Sequence, residues 1–138
     1  MTTSASRTEG VHHLGLTVPD LEAARHFFVE GLGFELVGDE QDYPAVLVSE
    51  GTVVITLWQV EVPARAIPFG RRRVIGLHHL ALRVHSELRL EGLHEVLLRR
   101  DDVEIEFAPE PLAGEPTLHM MCRIPGNIRL EVIAPVPM

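Results

Sequence analysis

Val11-His12-His13-Leu14-Gly15-Leu16-Thr17-Val18 returns, sixty-six positions later, as Leu77-His78-His79-Leu80-Ala81-Leu82-Arg83-Val84. In a chain of 138 residues that offset is close to half the length. A His-His-Leu match alone arises easily by chance. Eight positions alike in hydrophobic character, each run followed by a helix signal, indicate an internal duplication.

The helix signals differ in residue but not in kind. After the first copy, Asp20 is a good N-cap, and Leu21, Ala24, Phe27 and Phe28 recur at helical spacing until Gly31 and Gly33 flank Leu32 and stop the helix. After the second, Ser86 takes the cap position and Leu90, Leu93, Val96 and Leu97 form the stripe, which ends near Arg99-Arg100-Asp101. Strand-like segments follow each helix. They are Phe34–Val37, Ala45–Ser49 and Thr52–Gln59 in the first half, with Glu50-Gly51 as a hairpin signal. In the second half they are Val103–Phe107, Thr117–Arg123 and Ile128–Ile133, the last two joined through Pro125-Gly126-Asn127. The expected fold is therefore α+β, two modules that each run strand, helix, strand, strand, strand (βαβββ). Residues 1–10 are expected to be a flexible N-terminus, 11–59 the first module, 60–74 a linker with Pro63, Pro68 and Gly70, and 75–135 the second module.

Side chains alternate faces along a strand. Val11, His13, Gly15 and Thr17 share one face, and His12, Leu14, Leu16 and Val18 the other. The second set is mostly large and apolar and should pack under the helix, leaving the first to line a cavity. The repeat divides the same way, with Leu77, His79, Ala81 and Arg83 opposite His78, Leu80, Leu82 and Val84. The last strand places Arg129, Glu131 and Ile133 on one face. A carboxylate between Leu130 and Val132 costs several kcal/mol if buried alone, on the order of an unpaired polar group. A metal resolves that cost. Water on a one-sided sheet, or pairing with Arg83 or Arg129, would also resolve it. Because the same histidine recurs on the cavity face of both repeats, His13, His79 and Glu131 form a candidate facial triad of two imidazoles and one carboxylate, with positions open for water and substrate.

Other residues share those faces. If Met121 faces the cavity, so do His119 and Arg123. His119 is then the candidate acid/base or substrate-orienting group beside the metal, or else a surface histidine. Thr56 and Trp58 belong to the corresponding face of the first module, where Trp58 either covers an apolar part of a substrate or fills core. Arg83 and Arg129 are placed to receive a carboxylate or enolate oxygen, or to neutralise Glu131.

Composition narrows the partners. The formal net charge is −8, which argues against nucleic acid and anionic membrane surfaces. Arg71-Arg72-Arg73 is the only dense basic run, and reads as a solvated loop. One cysteine, Cys122, excludes an intrachain disulfide and fits a reducing compartment. The first nine residues lack the apolar stretch of a secretory signal, and no apolar run is long enough to span a bilayer, so a cytoplasmic protein is expected.

The pattern resembles the vicinal oxygen chelate superfamily, which includes glyoxalase I, methylmalonyl-CoA epimerase, extradiol dioxygenases, fosfomycin-resistance transferases and bleomycin-resistance proteins. The resemblance runs from Val11 to Pro135. It is carried by His-Leu-Gly-Leu-Thr-Val-Pro-Asp-Leu from His13, Leu32-Gly33-Phe34, His-Leu-Ala-Leu-Arg-Val from His79, and Pro125-Gly126-Asn127 before Leu130-Glu131-Val132. It implies curved mixed sheets around a metal-site cavity, one divalent metal ion per site (Fe, Mn, Ni, Co or Zn) held by His13, His79 and Glu131, and a homodimer in which the modules pair either within a chain or across the dimer, the sites then drawing on both chains.

Departures from the family bear on the reaction. Glyoxalase I and the epimerase carry a fourth ligand, Glu or Gln, where this chain has Thr56. Fosfomycin transferases have a threonine at the position of Gly15. They and extradiol dioxygenases commonly carry a tyrosine where Met121 stands. The resemblance therefore implies either a metal-dependent enzyme (lyase or isomerase, dioxygenase or transferase) acting on a small oxygen-rich substrate, or a metal-independent small-molecule binding protein of the bleomycin-resistance type. It does not favour glyoxalase I activity itself.

Overall fold

The computed structural model describes residues 5–40, 42–113 and 116–135. Of the N-terminal segment expected to be flexible, residues 1–4 lie outside the described residues. The chain runs β1 (His13–Val18), α1 (Leu21–His26), a π-helical turn (Phe27–Gly31), β2 (Glu35–Glu40), β3 (Ala45–Ser49) and β4 (Val54–Gln59). After a 3₁₀ turn at Pro63–Arg65 it repeats the plan with β5 (Leu80–Arg83), α2 (Glu87–Leu98), β6 (Glu104–Pro111), β7 (Leu118–Ile124) and β8 (Ile128–Ala134).

The two halves form two four-stranded sheets of matching topology, β1-β4-β3-β2 and β5-β8-β7-β6. The first strand of each half lies parallel to the last, and the other neighbours are antiparallel. Each sheet is therefore mixed, as the family resemblance implied.

Both caps form as the residues suggest. The Asp20 carboxylate accepts from the Ala23 N–H at 3.1 Å and the Ser86 hydroxyl from the Arg89 N–H at 3.2 Å. The first helix differs from expectation. After His26 it widens into the π turn, which sends the consecutive side chains Phe27 and Phe28 into the core, edge to face at 5.4 Å. The repeat strands are also shorter than their hydrophobic pattern. β1 begins at His13, opposite Val54, the first residue of β4, so Val11 and His12 have no neighbouring strand to pair with. Pairing of β5 starts at Leu80 opposite Leu130. Both histidine pairs therefore stand where an edge strand begins. The turn before β8 needs positive φ at Gly126 (90°) and Asn127 (61°), residue types that tolerate it.

Leu16 and Val18 of β1 are buried, whereas His13, Gly15 and Thr17 are exposed. The face assignment from alternation therefore holds in β1. One continuous apolar core joins the helix-bearing sides of both sheets, with Phe27, Phe28, Ile55 and Leu57 from the first half and Leu90, Leu97, Met120, Leu130 and Val132 from the second. The halves also touch directly. Arg100 reaches back over the Phe27 ring, and the Gly126 turn lies against Pro19. Among the described residues no helix is long and apolar enough to cross a membrane.

Candidate functional site

Glu131 lies in the middle of β8, level with Ala81 of β5 on one side and Met121 of β7 on the other. Its neighbours in sequence, Leu130 and Val132, point into the core, so alternation turns the carboxylate to the opposite face. That face is nonetheless closed here, and Glu131 is only 7% exposed.

The carboxylate is satisfied by two imidazoles. Oε2 lies 2.6 Å from Nδ1 of His119, itself buried, and Oε1 lies 3.2 Å from Nε2 of His79. The shorter contact is in the range of a charge-assisted hydrogen bond. Two alternatives open in the sequence are thereby closed. Glu131 does not point to water, and it does not pair with Arg83 or Arg129. Arg129 turns instead to Glu106, at 2.8 Å. His119 is not a surface histidine; its ring stacks at a tilt against Phe107, with centroids 4.9 Å apart.

The other histidines pair with their sequence neighbours. His78 Nδ1 lies 2.8 Å from His79 Nδ1, and His12 Nδ1 lies 2.9 Å from His13 Nδ1. His78 is held below the usual histidine range by desolvation and by the positive charges of His79, Arg129 and Arg71. The structure thus brings His79, His119 and Glu131 together. His13 lies apart from them on the exposed face of the first sheet, and among the described residues no three His, Cys, Asp or Glu side chains are arranged to hold a metal ion.

On that first sheet Gly15 lies opposite Thr56, and the Trp58 indole passes over Gly15. Thr56 is buried, and Tyr43 meets Trp58 edge to face at 4.8 Å. In the second sheet Arg123 and Arg129 face each other across β7 and β8, next along from Met121 and Glu131. Met121 is buried. Arg83, exposed at the end of β5, lines a cleft of about 800 Å³ together with His79, Leu14 and Ile55.

Two contributors were missed from sequence. Glu106 accepts from Arg129 and from Arg71, and these arginines hold its carboxyl below the usual range, the Arg129 hydrogen bond most strongly. Tyr43 completes the aromatic pair with Trp58. The signal for Glu106 was its place between Ile105 and Phe107 in a strand, the same oddity that drew attention to Glu131. The free Cys122 is buried, and desolvation pushes its thiol up to about 12, so it is no nucleophile.

The profile of the Glyoxalase/Bleomycin resistance protein/Dioxygenase superfamily matches residues 10–132. The uncharacterized protein YqjT of Bacillus subtilis (strain 168) is 28% identical over 130 residues, covering 91% of this chain and 98% of that protein. Among solved structures, a putative glyoxalase from Bacillus halodurans is 27% identical with a TM-score of 0.75, covering 92% of this chain and 97% of its own. A glyoxylase/bleomycin resistance protein/dioxygenase domain from Frankia sp. EAN1pec superposes with a TM-score of 0.78 at 24% identity, covering 94% and 93% of the two chains. A lactoylglutathione lyase from Agrobacterium tumefaciens shares the fold at 17% identity and a TM-score of 0.71, covering 94% and 96%.

Proposed function

Because this chain belongs to the Glyoxalase/Bleomycin resistance protein/Dioxygenase superfamily, we propose that it is a metal-dependent enzyme acting on a small substrate that offers oxygen atoms to a divalent ion. The observation that supports this reading is the buried Glu131 carboxylate held between His79 and His119. Strands β7 and β8, otherwise rich in core residues, gain nothing in packing from a buried glutamate and histidine. Such a group is retained where its chemistry is used.

The donor types fit a divalent ion, since imidazole nitrogen and carboxylate oxygen suit Fe, Mn, Ni, Co and Zn. His79 and Glu131 would supply two ligands from one chain. His13 would supply the third from a second copy, because its sheet face is uncovered while the helix-bearing faces of both halves share the internal core. In this reading the protein is a homodimer with shared sites. A bound ion would supply Lewis-acid polarisation of a substrate oxygen.

The chain's own groups do the rest. Glu131 Oε2 orients His119 through Nδ1, which leaves Nε2 to take or give a proton. Arg83, Arg123 and Arg129 bind substrate oxyanions. Trp58, on the same strand face as Thr56, covers an apolar part of the substrate, and Met121 forms part of the wall. The setting we assign is the cytoplasm, where the thiol of Cys122 stays reduced.

One observation favours a second reading, a metal-independent binding protein. His79 and His119 already satisfy both oxygens of Glu131. Metal analysis after purification without chelators separates the two readings. The enzyme reading expects stoichiometric metal, and the binding reading expects none together with unimpaired capture of a ligand.

A further inference from the structure

All twelve basic residues of the chain are arginines, and five of them converge on one cleft. Arg71, Arg72 and Arg73 come from the segment between the sheets, and Arg123 and Arg129 from β7 and β8. Together with Glu106 they line a space of about 500 Å³. In a chain of net charge −8, gathering five like charges is unfavourable unless something of opposite sign belongs there.

The carboxylates present do not balance the cleft. Glu106 spans Arg71 at 3.3 Å and Arg129 at 2.8 Å, and so ties the linker to β8. Glu104 pairs with Arg123 from the rim. Two carboxylates thus answer five guanidinium groups. Arg72 and Arg73 make no ion pair among the described residues. The Nε–H of Arg123 is buried and has no acceptor among them. A buried guanidinium N–H without an acceptor is costly, and it marks where an acceptor belongs. A solvated loop would leave all three linker arginines loose, whereas Arg71 is pinned so that its neighbours stand over the cleft.

We propose that the cleft between Arg72, Arg73 and Arg123 binds the phosphate group of a small phosphate monoester. A monocarboxylate would leave most of the charge unanswered. A phosphate dianion offers two charges and three outer oxygens to guanidinium forks arriving from two elements. The position joins the cleft to the proposed site. The Arg123–Arg129 pair is two residues from the Met121–Glu131 pair along the same face, about 7 Å at strand spacing. A short phosphorylated molecule anchored in the cleft therefore lies within about 7 Å, along the strand, of the level of Glu131. This names the substrate class of the proposed function, but phosphate binding requires neither the metal nor Glu131.

The test is a calorimetric titration of the full-length protein with inorganic phosphate, at ionic strength held constant with sodium chloride. Saturable binding is expected, weakened about tenfold or more by the double substitution Arg72→Ala/Arg73→Ala. It should be unchanged by Arg89→Ala on the exposed surface of α2. Malonate, a dianion whose charges sit on two separate carboxylates, should bind more weakly than phosphate. Binding that persists in chelator-stripped protein and in Glu131→Gln supports the cleft whatever becomes of the metal reading. No saturable heat with phosphate, equal binding by the double variant, or tighter binding of malonate would overturn the assignment.

Discussion

Glu131 is held by a short hydrogen bond from His119 and a longer contact to His79, and the fates of these residues on substitution should differ from those of their neighbours. Stoichiometric metal should vanish in His13→Ala, His79→Ala and Glu131→Ala and persist in His12→Ala and His78→Ala, as read by elemental mass spectrometry. A ligand role for His12 or His78 would mean that the face assignment is wrong by one residue. The family resemblance implies that Thr56 takes the position where isomerising members keep a carboxylate or carboxamide. Isomerisation of the methylglyoxal–glutathione hemithioacetal should therefore be absent or very weak, and Thr56→Glu should tighten metal binding, measured by competition with a chelating dye. Glu106 supplies a pH signature. Its carboxyl is depressed in the folded protein, first by the Arg129 hydrogen bond. Its contribution to stability is thus complete above the ordinary glutamate range and is lost as pH falls through the lower, folded-state value. Urea midpoints followed into acid should show that loss in the wild type and less of it in Glu106→Gln.

At the scale of elements, the turn and helix glycines make opposite predictions. Gly126 adopts φ 90°, and a Cβ there would sit 3.0 Å from Pro19 of the other half. Gly126→Ala should cost about 1–2 kcal/mol or more, because both the backbone and the contact between halves resist it. Gly92 in α2 meets nothing within 4 Å, and Gly92→Ala should stabilise by about 0.5–1 kcal/mol in the same denaturation assay. Elements were legible where local rules suffice. Asp20 and Ser86 announced their helices, and the apolar partners of His13 announced which side of β1 was core. The arginine cleft was not legible, and the reason lies in β6. Its pairing with β7 shifts register between Ile105 and Phe107 and again between Phe107 and Glu110. Each irregularity breaks the two-residue alternation, so no pattern in the sequence could say which way Glu106 points or that it would capture Arg71. The π turn was hidden for a related reason, since buried neighbours such as Phe27 and Phe28 fit the start of an α-helical stripe equally well.

For the whole molecule, the duplication predicted two like sheets, and two like sheets are present. How those sheets meet was beyond the pattern, because it depends on which faces find each other. They share a core on their helix-bearing sides, which leaves His13 on an outer surface and Glu131 in the other sheet. Apolar side chains also remain uncovered near the repeat strands, Val11 at 79% and Ile75 at 102% exposure. A second copy would bury them. Light scattering at micromolar concentration should therefore report a dimer, and a clean monomer that still holds metal would refute the shared site. The most direct test mixes two metal-free variants, His13→Ala and Glu131→Ala, allows the chains to exchange, and measures bound metal. Each mixed dimer should regain one intact site, with His13 from one chain and His79 with Glu131 from the other, so about a quarter of all sites should recover at statistical exchange. If the wild type binds metal, the chains exchange, and the mixture recovers none, the site is not shared between copies and the account is contradicted.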